Sequence, residues 1–368
     1  MIQETQPNFS EKKEQIPAGN FDVLTPMAFL TDFKIETITA KERVWGKSMY
    51  LDYGPTMQQL VDVFKAAGPR VNTRMRLDSI VFTVTEGRFN WLPRTTEQRK
   101  SMAFQRHHMY RLRQEMRNAH VDVSFSNPPT PLDVAFPPHG RDHRKSTLVD
   151  SKAVYLGDFN YGEPLFDDIS FAMKFTQPEV VQAVANEFEK DISGNDGKKD
   201  YVVNCTPDIQ LLVDAGIHGR SLIIDEAAKR IAAAKKNVRI LMPYAPDGKI
   251  KRALLEAKEN GIDLEIIIAP SHKIGGFYSV VNTITRLTDG KGMDQLPVEE
   301  YPHELHAKLV IVDDEIAIFG SNNFTNKGPL MGTKEMDVLL KNKEGVGNLV
   351  QFVEWVKAMR PHYEKLAA

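Results

Sequence analysis

In the second half of the chain, apolar and polar residues switch back and forth between two spacings. IIDEAAKRIAAAKKN (223–237) repeats its apolar residues at helical intervals, and the apolar run VRILMPYA (238–245) that follows reads as a strand. DGKIKRALLEAKENG is helical again, IDLEIIIAP is an apolar strand, and the stretch around FYSVVNTITRL predicts one more helix. The first half runs through a similar series. ITAKERVWGK and SMYLDYG lead into the helix PTMQQLVDVFKAAG, DSIVFTV predicts a strand, and TTEQRKSMAFQRHHMYRLRQEMR predicts a long helix. Each half closes on an amphipathic helix, PEVVQAVANEFEKDI in the first and GNLVQFVEWVKAM in the second. Strands alternating with helices predict an α/β sheet covered on both faces. The matching order predicts a tandem duplication: a polar leader over 1–20, one unit over 21–195 and a second over 196–368, joined near SGNDGKKD (193–200).

Composition narrows the class without naming a function. Of 368 residues, 42% are hydrophobic and 26% charged, values usual for a soluble globular protein. A formal net charge of −2 gives no overall positive field to draw in nucleic acid. The single cysteine, Cys205, excludes an internal disulfide and fits a reducing compartment. The start MIQETQPNFSEKKEQ lacks the apolar core of a signal peptide, and no apolar run is long enough to span a membrane. These features lead us to expect a cytoplasmic protein.

Two short stretches carry the chemistry. HRKSTLVD (143–150) and HAKLVIVD (306–313) share the spacing H-x-K-x4-D, 163 residues apart (306 − 143). Each opens a predicted β-hairpin, HRKSTLVDSKAVYLGD turning at Asp150 to Lys152 and HAKLVIVDDEIAIFGS turning at Asp313 to Glu315. Side chains two apart on a strand share a face, so His143 points with Lys145 and His306 with Lys308. Seven residues past each aspartate stands a glycine and three further an asparagine, Gly157 with Asn160 and Gly320 with Asn323. Each half therefore offers His, Lys and Asn at one place on a sheet.

This doubled pattern, H-x-K-x4-D followed by a glycine and an asparagine, resembles the signature of the phospholipase D superfamily, in its two-motif cardiolipin synthase and phospholipase D branch. The resemblance covers residues from about 36 to 358. It implies two tandem α/β/α sandwich domains related by a pseudo-twofold axis, with the active site at their interface. One position departs from the pattern. GDFN places Asp158 where the family has a small residue, whereas GSNN at 320–323, with Ser321, fits.

The residue types suit phosphodiester chemistry. Two lysines and two asparagines can hold the non-bridging oxygens of an anion that resists attack. One neutral imidazole can attack phosphorus to give a phosphohistidine, and the other, protonated, can supply the leaving alkoxide with a proton. The roles are complementary, so one motif is half a site. By resemblance, His143 is the nucleophile and His306 the acid/base, while downstream carboxylates, matched to Glu335 and Asp168, orient the imidazoles. Asp150, Asp313, Gly157, Gly320 and Ser321 are expected to support the motif structurally. No cofactor or metal is expected, because no C-x-x-C, H-E-x-x-H or ligand-spaced carboxylate cluster occurs.

The expected substrate is a phospholipid, with water or an alcohol as acceptor. Apolar stretches GRFNWLPR (87–94), PLDVAFPPHG (131–140) and KGPLMG (327–332), and the basic helical segment 94–117, suit peripheral contact with a membrane surface. SHKIGGFYS (271–279) is a candidate gate. Both halves of the site lie in one chain, so a monomer is expected to suffice. A nuclease of the same superfamily would want a basic groove with stacking aromatics, which the near-neutral chain does not favour. A non-enzymatic phosphate-binding module would predict eroded motifs, and both copies retain His, Lys, Asp, Gly and Asn.

Overall fold

The computed structural model describes residues 21–79, 84–85, 88–89, 96–127, 140–158, 160–162, 167–270 and 292–367. The first series runs β1 (Phe21–Leu24), α1 (Pro26–Ile38), β2 (Arg43–Ser48), α2 (Pro55–Ala67), β3 (Asn72–Asp78), a two-residue pair β4 (Val84–Thr85) and β5 (Arg88–Phe89), then α3 (Thr96–Asn118). β6 (Asp122–Ser126), β7 (Ser146–Val149), β8 (Ala153–Gly157), β9 (Ala172–Phe175) and α4 (Pro178–Ile192) complete it. The second runs β10 (Tyr201–Thr206), β11 (Ile209–Ala215), α5 (Leu222–Ala232), β12 (Asn237–Met242), α6 (Gly248–Glu259), β13 (Asp263–Ile268) and β14 (Val298–Glu300). It ends with β15 (Leu309–Val312), β16 (Ile316–Gly320), the short α7 (Lys327–Leu330), β17 (Lys334–Leu340) and α8 (Lys343–Ala367). Helices α1, α2 and α4 each begin with proline, whose fixed φ and missing N–H suit the first helical position. α5 is capped by Ser221, whose hydroxyl accepts the Ile224 N–H at 3.1 Å.

The strands form two large sheets of one plan. The first has the order β1-β9-β8-β7-β2-β3-β6, the second β10-β11-β17-β16-β15-β12-β13-β14. With β10 set aside, the orders superimpose strand for strand, and so do the pairing directions. The β2–β3–β6 and β12–β13–β14 ends are parallel, and the remaining neighbours are antiparallel. The chain is thus an α/β fold with two like sheets.

Both faces of each sheet are covered, which is why the strands read as apolar runs rather than as alternating patterns. In β15, Val310 and Val312 join an outer core with α5 and α6, while Leu309 and Ile311 face a central core. α1, α2 and α3 cover the outer face of the first sheet. The central core takes residues from both sheets, with α4 (Val180, Val184, Phe188) and α8 (Leu349, Phe352, Val356) contributing to it.

The strand expected at DSIVFTV (78–84) is displaced. The sheet strand is NTRMRLD (72–78), and residues 80–83 lie outside the described ones. Its alternate residues are Arg74 and Arg76, which hid it from an apolar search. Arg74 lies over the Trp45 ring at 5.0 Å and pairs with Glu189, and Arg76 pairs with Asp191. The helix expected around FYSVVNTITRL, the stretch SHKIGGFYS, the leader 1–20 and most of PLDVAFPPHG and GRFNWLPR also lie outside the described residues.

Candidate active site

β7 and β15 deliver the two motif strands, each beside the middle of its own sheet. What holds each histidine in place comes from the other half of the chain. The Gly140 N–H donates to the Met331 carbonyl (2.7 Å), Lys334 N–H to Arg141 (2.8 Å) and His143 N–H to Lys334 (2.9 Å). This ribbon sets His143 against Glu335. The mirror ribbon runs between Asp168–Ile169 and Glu304–Ala307: Ile169 N–H donates to Glu304, and the His306 and Ala307 N–H groups to Ile169, all at 2.9 Å.

His143 is buried, and its Nδ1 lies 3.0 Å from both carboxylate oxygens of Glu335. The Ser321 hydroxyl donates to Oε2 of Glu335 at 2.5 Å and accepts the Met336 N–H at 2.9 Å. With a proton on Nδ1 directed at the carboxylate, the Nε2 lone pair is left for the open side of the ring. The Lys145 ammonium donates to the His143 carbonyl at 2.6 Å, and Lys308 does the same to the His306 carbonyl at 2.8 Å. Lys308 Nζ also lies 3.2 and 3.0 Å from the two ring nitrogens of His306. Asn160 is buried, its amide oxygen accepting the Met49 N–H at 3.2 Å; Asn323 is half-buried at the matching place on the other side.

Burial governs the electrostatics. It holds both imidazoles well below their usual pKa, and the Lys145 and Lys308 ammoniums, each acting on both rings, push the same way. The crossed ribbons, and the Lys308 N–H bond to the Asp158 carboxylate at 3.1 Å, bring the two motifs together. Burial lowers Lys145 to about 7 and Lys308 to about 8, and lifts Glu335 to about 8 against the pull of Lys145 and the Ser321 hydroxyl, so the carboxylate form that accepts the Nδ1 hydrogen bond prevails only above that pH. Two buried lysines beside two imidazoles are donors that can hold an anion.

The motif aspartates and glycines lie outside this space. Asp150 and Asp313 take positive φ, 52° and 58°, at their turns. The Asp150 carboxylate accepts the N–H groups of Lys41, Glu42 and Arg43, and Asp313 those of Lys235, Lys236 and Asn237. Gly157 and Gly320 sit where the last strand of the hairpin sheet crosses: a Cβ would lie 2.2 Å from the Phe171 carbonyl oxygen at the first and 2.6 Å from the Met336 oxygen at the second.

Asp168 does not hold the place expected for it. Gly157 pairs with Ala172 and Gly320 with Asp337. Two residues before each partner stand Ser170 and Glu335, so the register makes Ser170, not Asp168, the counterpart of Glu335. Among the described residues no hydrogen bond joins Asp168 to the His306 ring. Burial, with Glu304 and Asp167 nearby, lifts the Asp168 carboxyl to about 8, and its influence on Lys308 is through-space attraction. The spacing from glycine to counterpart is 13 residues in the first half (170 − 157) and 15 in the second (335 − 320), so counting along the sequence misses it.

Beneath His143 lies a buried ionic cluster that the sequence did not announce. Asp142 pairs with Lys47 (2.8 Å) and Arg144 (2.7 Å); Asp191 with Lys47 (2.8 Å) and Arg76 (3.0 Å); Asp196 with Arg144 (2.7 Å) and Lys334 (3.0 Å). The three carboxylates converge in the manner of metal ligands, but these cations occupy their oxygens. At the matching positions of the second sheet stand Leu241, Ile267, Leu305 and Ala307, all in the central core.

Known proteins place this arrangement. The family model described as "Cardiolipin synthase, PLD-like domain" matches residues 228–357. The minor cardiolipin synthase ClsB of Bacillus subtilis is 24% identical over 260 residues, 66% of this chain and 62% of that protein. The major enzyme ClsA of the same organism is 27% identical over 230 residues, 57% of this chain and 46% of that protein. The chain spans about two fifths to three fifths of the length of the curated relatives it matches. Among solved structures, phosphatidylserine synthase of Haemophilus influenzae Rd KW20 superimposes with a TM-score of 0.67 at 14% identity, covering 92% of this chain and 85% of that one. Polyphosphate kinase of Porphyromonas gingivalis gives 0.59 at 12% identity, covering 96% of this chain and 54% of that one. These two show a shared fold. The doubled motif on two like sheets and these matches together support a member of the phospholipase D superfamily, with relatives of the cardiolipin synthase type.

Proposed function

We propose that this protein is a phosphatidyltransferase or phosphodiesterase that acts on phospholipids in two displacements, through a covalent phosphohistidine. The observation that carries this reading is the His143–Glu335 contact facing two buried lysines. Glu335 fixes the proton on Nδ1, so Nε2 of neutral His143 attacks phosphorus; the N–P bond forms as the P–O bond to the leaving alcohol breaks. His306 gives its proton to that alkoxide. In the second displacement the acceptor hydroxyl loses its proton to His306, its oxygen bonds to phosphorus and the N–P bond breaks. Lys145 and Lys308 offset charge on the non-bridging oxygens, with Asn160 and Asn323 as neutral donors. The depressed pKa of His306 belongs to the anion-free site. A phosphodiester between the lysines supplies the negative charge that favours its protonated form.

The lipid substrate is supported by what the matched relatives are named for, cardiolipin synthesis, and by the fold shared with a phosphatidylserine synthase. Among the described residues no helix is long and apolar enough to cross a membrane. Contact with the bilayer is peripheral in this reading. Leu330, 67% exposed on α7 just ahead of the ribbon that carries Glu335, and the exposed Phe104 and Tyr110 of basic α3 are the surfaces that suit it.

The test is incubation with phosphatidylglycerol vesicles, glycerol or ethanol, and excess EDTA, followed by mass spectrometry of the lipids, beside His306→Ala and a single-stranded DNA sample. Cardiolipin, phosphatidic acid or a phosphatidyl-alcohol, lost in the variant, is the expected result. Inert lipid with cleaved DNA would replace the lipid reading with a nuclease.

A further inference from the structure

Two features of the first half look like separate oddities until the sheets are superimposed. Asp158 puts a carboxylate where the second half has Ser321, and Ser170 puts a hydroxyl where the second half has Glu335. The second-half pair is joined by a hydrogen bond from the Ser321 hydroxyl to Glu335. The first-half pair is joined too, with the direction along the chain reversed: the Ser170 hydroxyl donates to Oδ1 of Asp158. Neither half lacks the serine–carboxylate pair; the two have it in opposite order.

The consequences for the neighbouring motif differ. Glu335 reaches across to the ring of His143. Asp158, on the shorter side chain and one strand over, stops at the second motif's backbone. Its Oδ2 accepts the Lys308 N–H at 3.1 Å, and its Oδ1 also takes the Phe171 N–H at 3.2 Å. The carboxylate is fully buried, and it is the largest attraction on the buried Lys308 ammonium. Lys308 in turn is the group that faces both ring nitrogens of His306.

We propose that Asp158 and Ser170 are a transposed form of the Ser321–Glu335 pair, and that the Asp158 carboxylate is the positioning residue for Lys308 and, through it, for His306. The departure of GDFN from the family pattern is then compensated within this chain by Ser170. A carboxylate beside a phosphate site is tolerable here because its oxygens are turned to Ser170, Phe171 and Lys308 rather than to the open space. The catalytic consequence rests on the phosphodiesterase reading above.

The experiment compares wild type with Asp158→Asn, Asp158→Ser and the double variant Asp158→Ser/Ser170→Glu, which rebuilds the second half's order in the first. Turnover of bis(p-nitrophenyl) phosphate and of phosphatidylglycerol vesicles is measured across pH, and the His306 imidazole is titrated by NMR. Asp158→Asn should lower kcat roughly tenfold to 100-fold, a size usual for residues that orient a reacting group, with KM little changed. The His306 titration should shift with it. The double variant should recover most of the turnover lost in Asp158→Ser. An unchanged kcat, pH profile and His306 titration in Asp158→Asn would overturn the proposal, as would a folded double variant no better than Asp158→Ser. Should the double variant not fold, the Asp158→Asn titration still decides. If wild type turns over neither ester, the proposed function falls, while the NMR comparison continues to judge whether Asp158 positions His306.

Discussion

Replacing Glu335 by glutamine keeps the volume and most of the shape of the side chain while removing one acceptor. In the wild type both carboxylate oxygens lie 3.0 Å from His143 Nδ1, and one also accepts the Ser321 hydroxyl. Glutamine has a single carbonyl oxygen for these two donors. If it faces Ser321, the amide NH2 faces Nδ1 and forces the proton onto Nε2, which removes the lone pair that the proposed mechanism uses to attack phosphorus. If it faces Nδ1, the Ser321 hydroxyl meets an NH2 group in a buried place and must rotate away. A tautomer error of this kind costs an enzyme about 10²- to 10⁴-fold in turnover, which is about 3 to 5.5 kcal/mol of barrier at 1.36 kcal/mol per decade. The assay is single-turnover release of p-nitrophenol, with ³¹P NMR to follow any phosphohistidine, and a thermal melt to show that the variant is folded. Folded Glu335→Gln that releases nitrophenol within threefold of wild type would refute the assignment of Glu335 as the group that fixes the His143 tautomer.

Three further outcomes are expected. Gly320→Ala should cost more than about 3 kcal/mol, because φ is +154° and the new Cβ would meet Asp337 Oδ1 and the Met336 oxygen at 2.6 Å; a melting temperature within a degree or two of wild type would contradict this. Sulfate stays a dianion across neutral pH, so its affinity reads the lysines. Lys145 loses its proton near 7 and Lys308 near 8, so sulfate should bind at least about tenfold more weakly at pH 9.5 than at pH 6.5 by titration calorimetry, and a flat profile would count against both lysines as anion holders. Leu330→Asp should weaken vesicle binding by about tenfold, the worth of roughly half a buried leucine side chain, and leave hydrolysis of a soluble ester unchanged; equal loss on both would remove α7 from the membrane contact.

The sequence disclosed the parts of this molecule whose signal is local. The motif hairpins were legible because apolar runs bounded by Asp150 and Asp313 have one plausible reading, and helices such as Pro178–Ile192 announce themselves by period and proline. β3 was misplaced because its alternate positions are arginines that look solvated, yet find Glu189, Asp191 and the Trp45 ring. The counterpart of Glu335 was missed because loops of unequal length intervene, and only strand register sees past them. Long-range ion pairs such as Lys47 with Asp191 leave no trace in spacing, since 144 residues separate the partners.

The crossed ribbons have a consequence for how this site can be assembled at all. His143 hangs from the Lys334 carbonyl and His306 from that of Ile169, so each half supplies the scaffold for the other's reacting ring and neither supplies its own. Segments 21–195 and 196–367 produced as separate polypeptides should each be inert and should regain activity on mixing, with a rate that rises as the product of their concentrations until association saturates. Activity in such a split pair would be a direct count of encounters. By the same reasoning, a single-unit forebear could have worked only as a pair of identical chains. One chain carrying both units leaves the two sides free to be unlike, as they are here: an ionic cluster on one sheet and plain apolar residues at the matching places of the other.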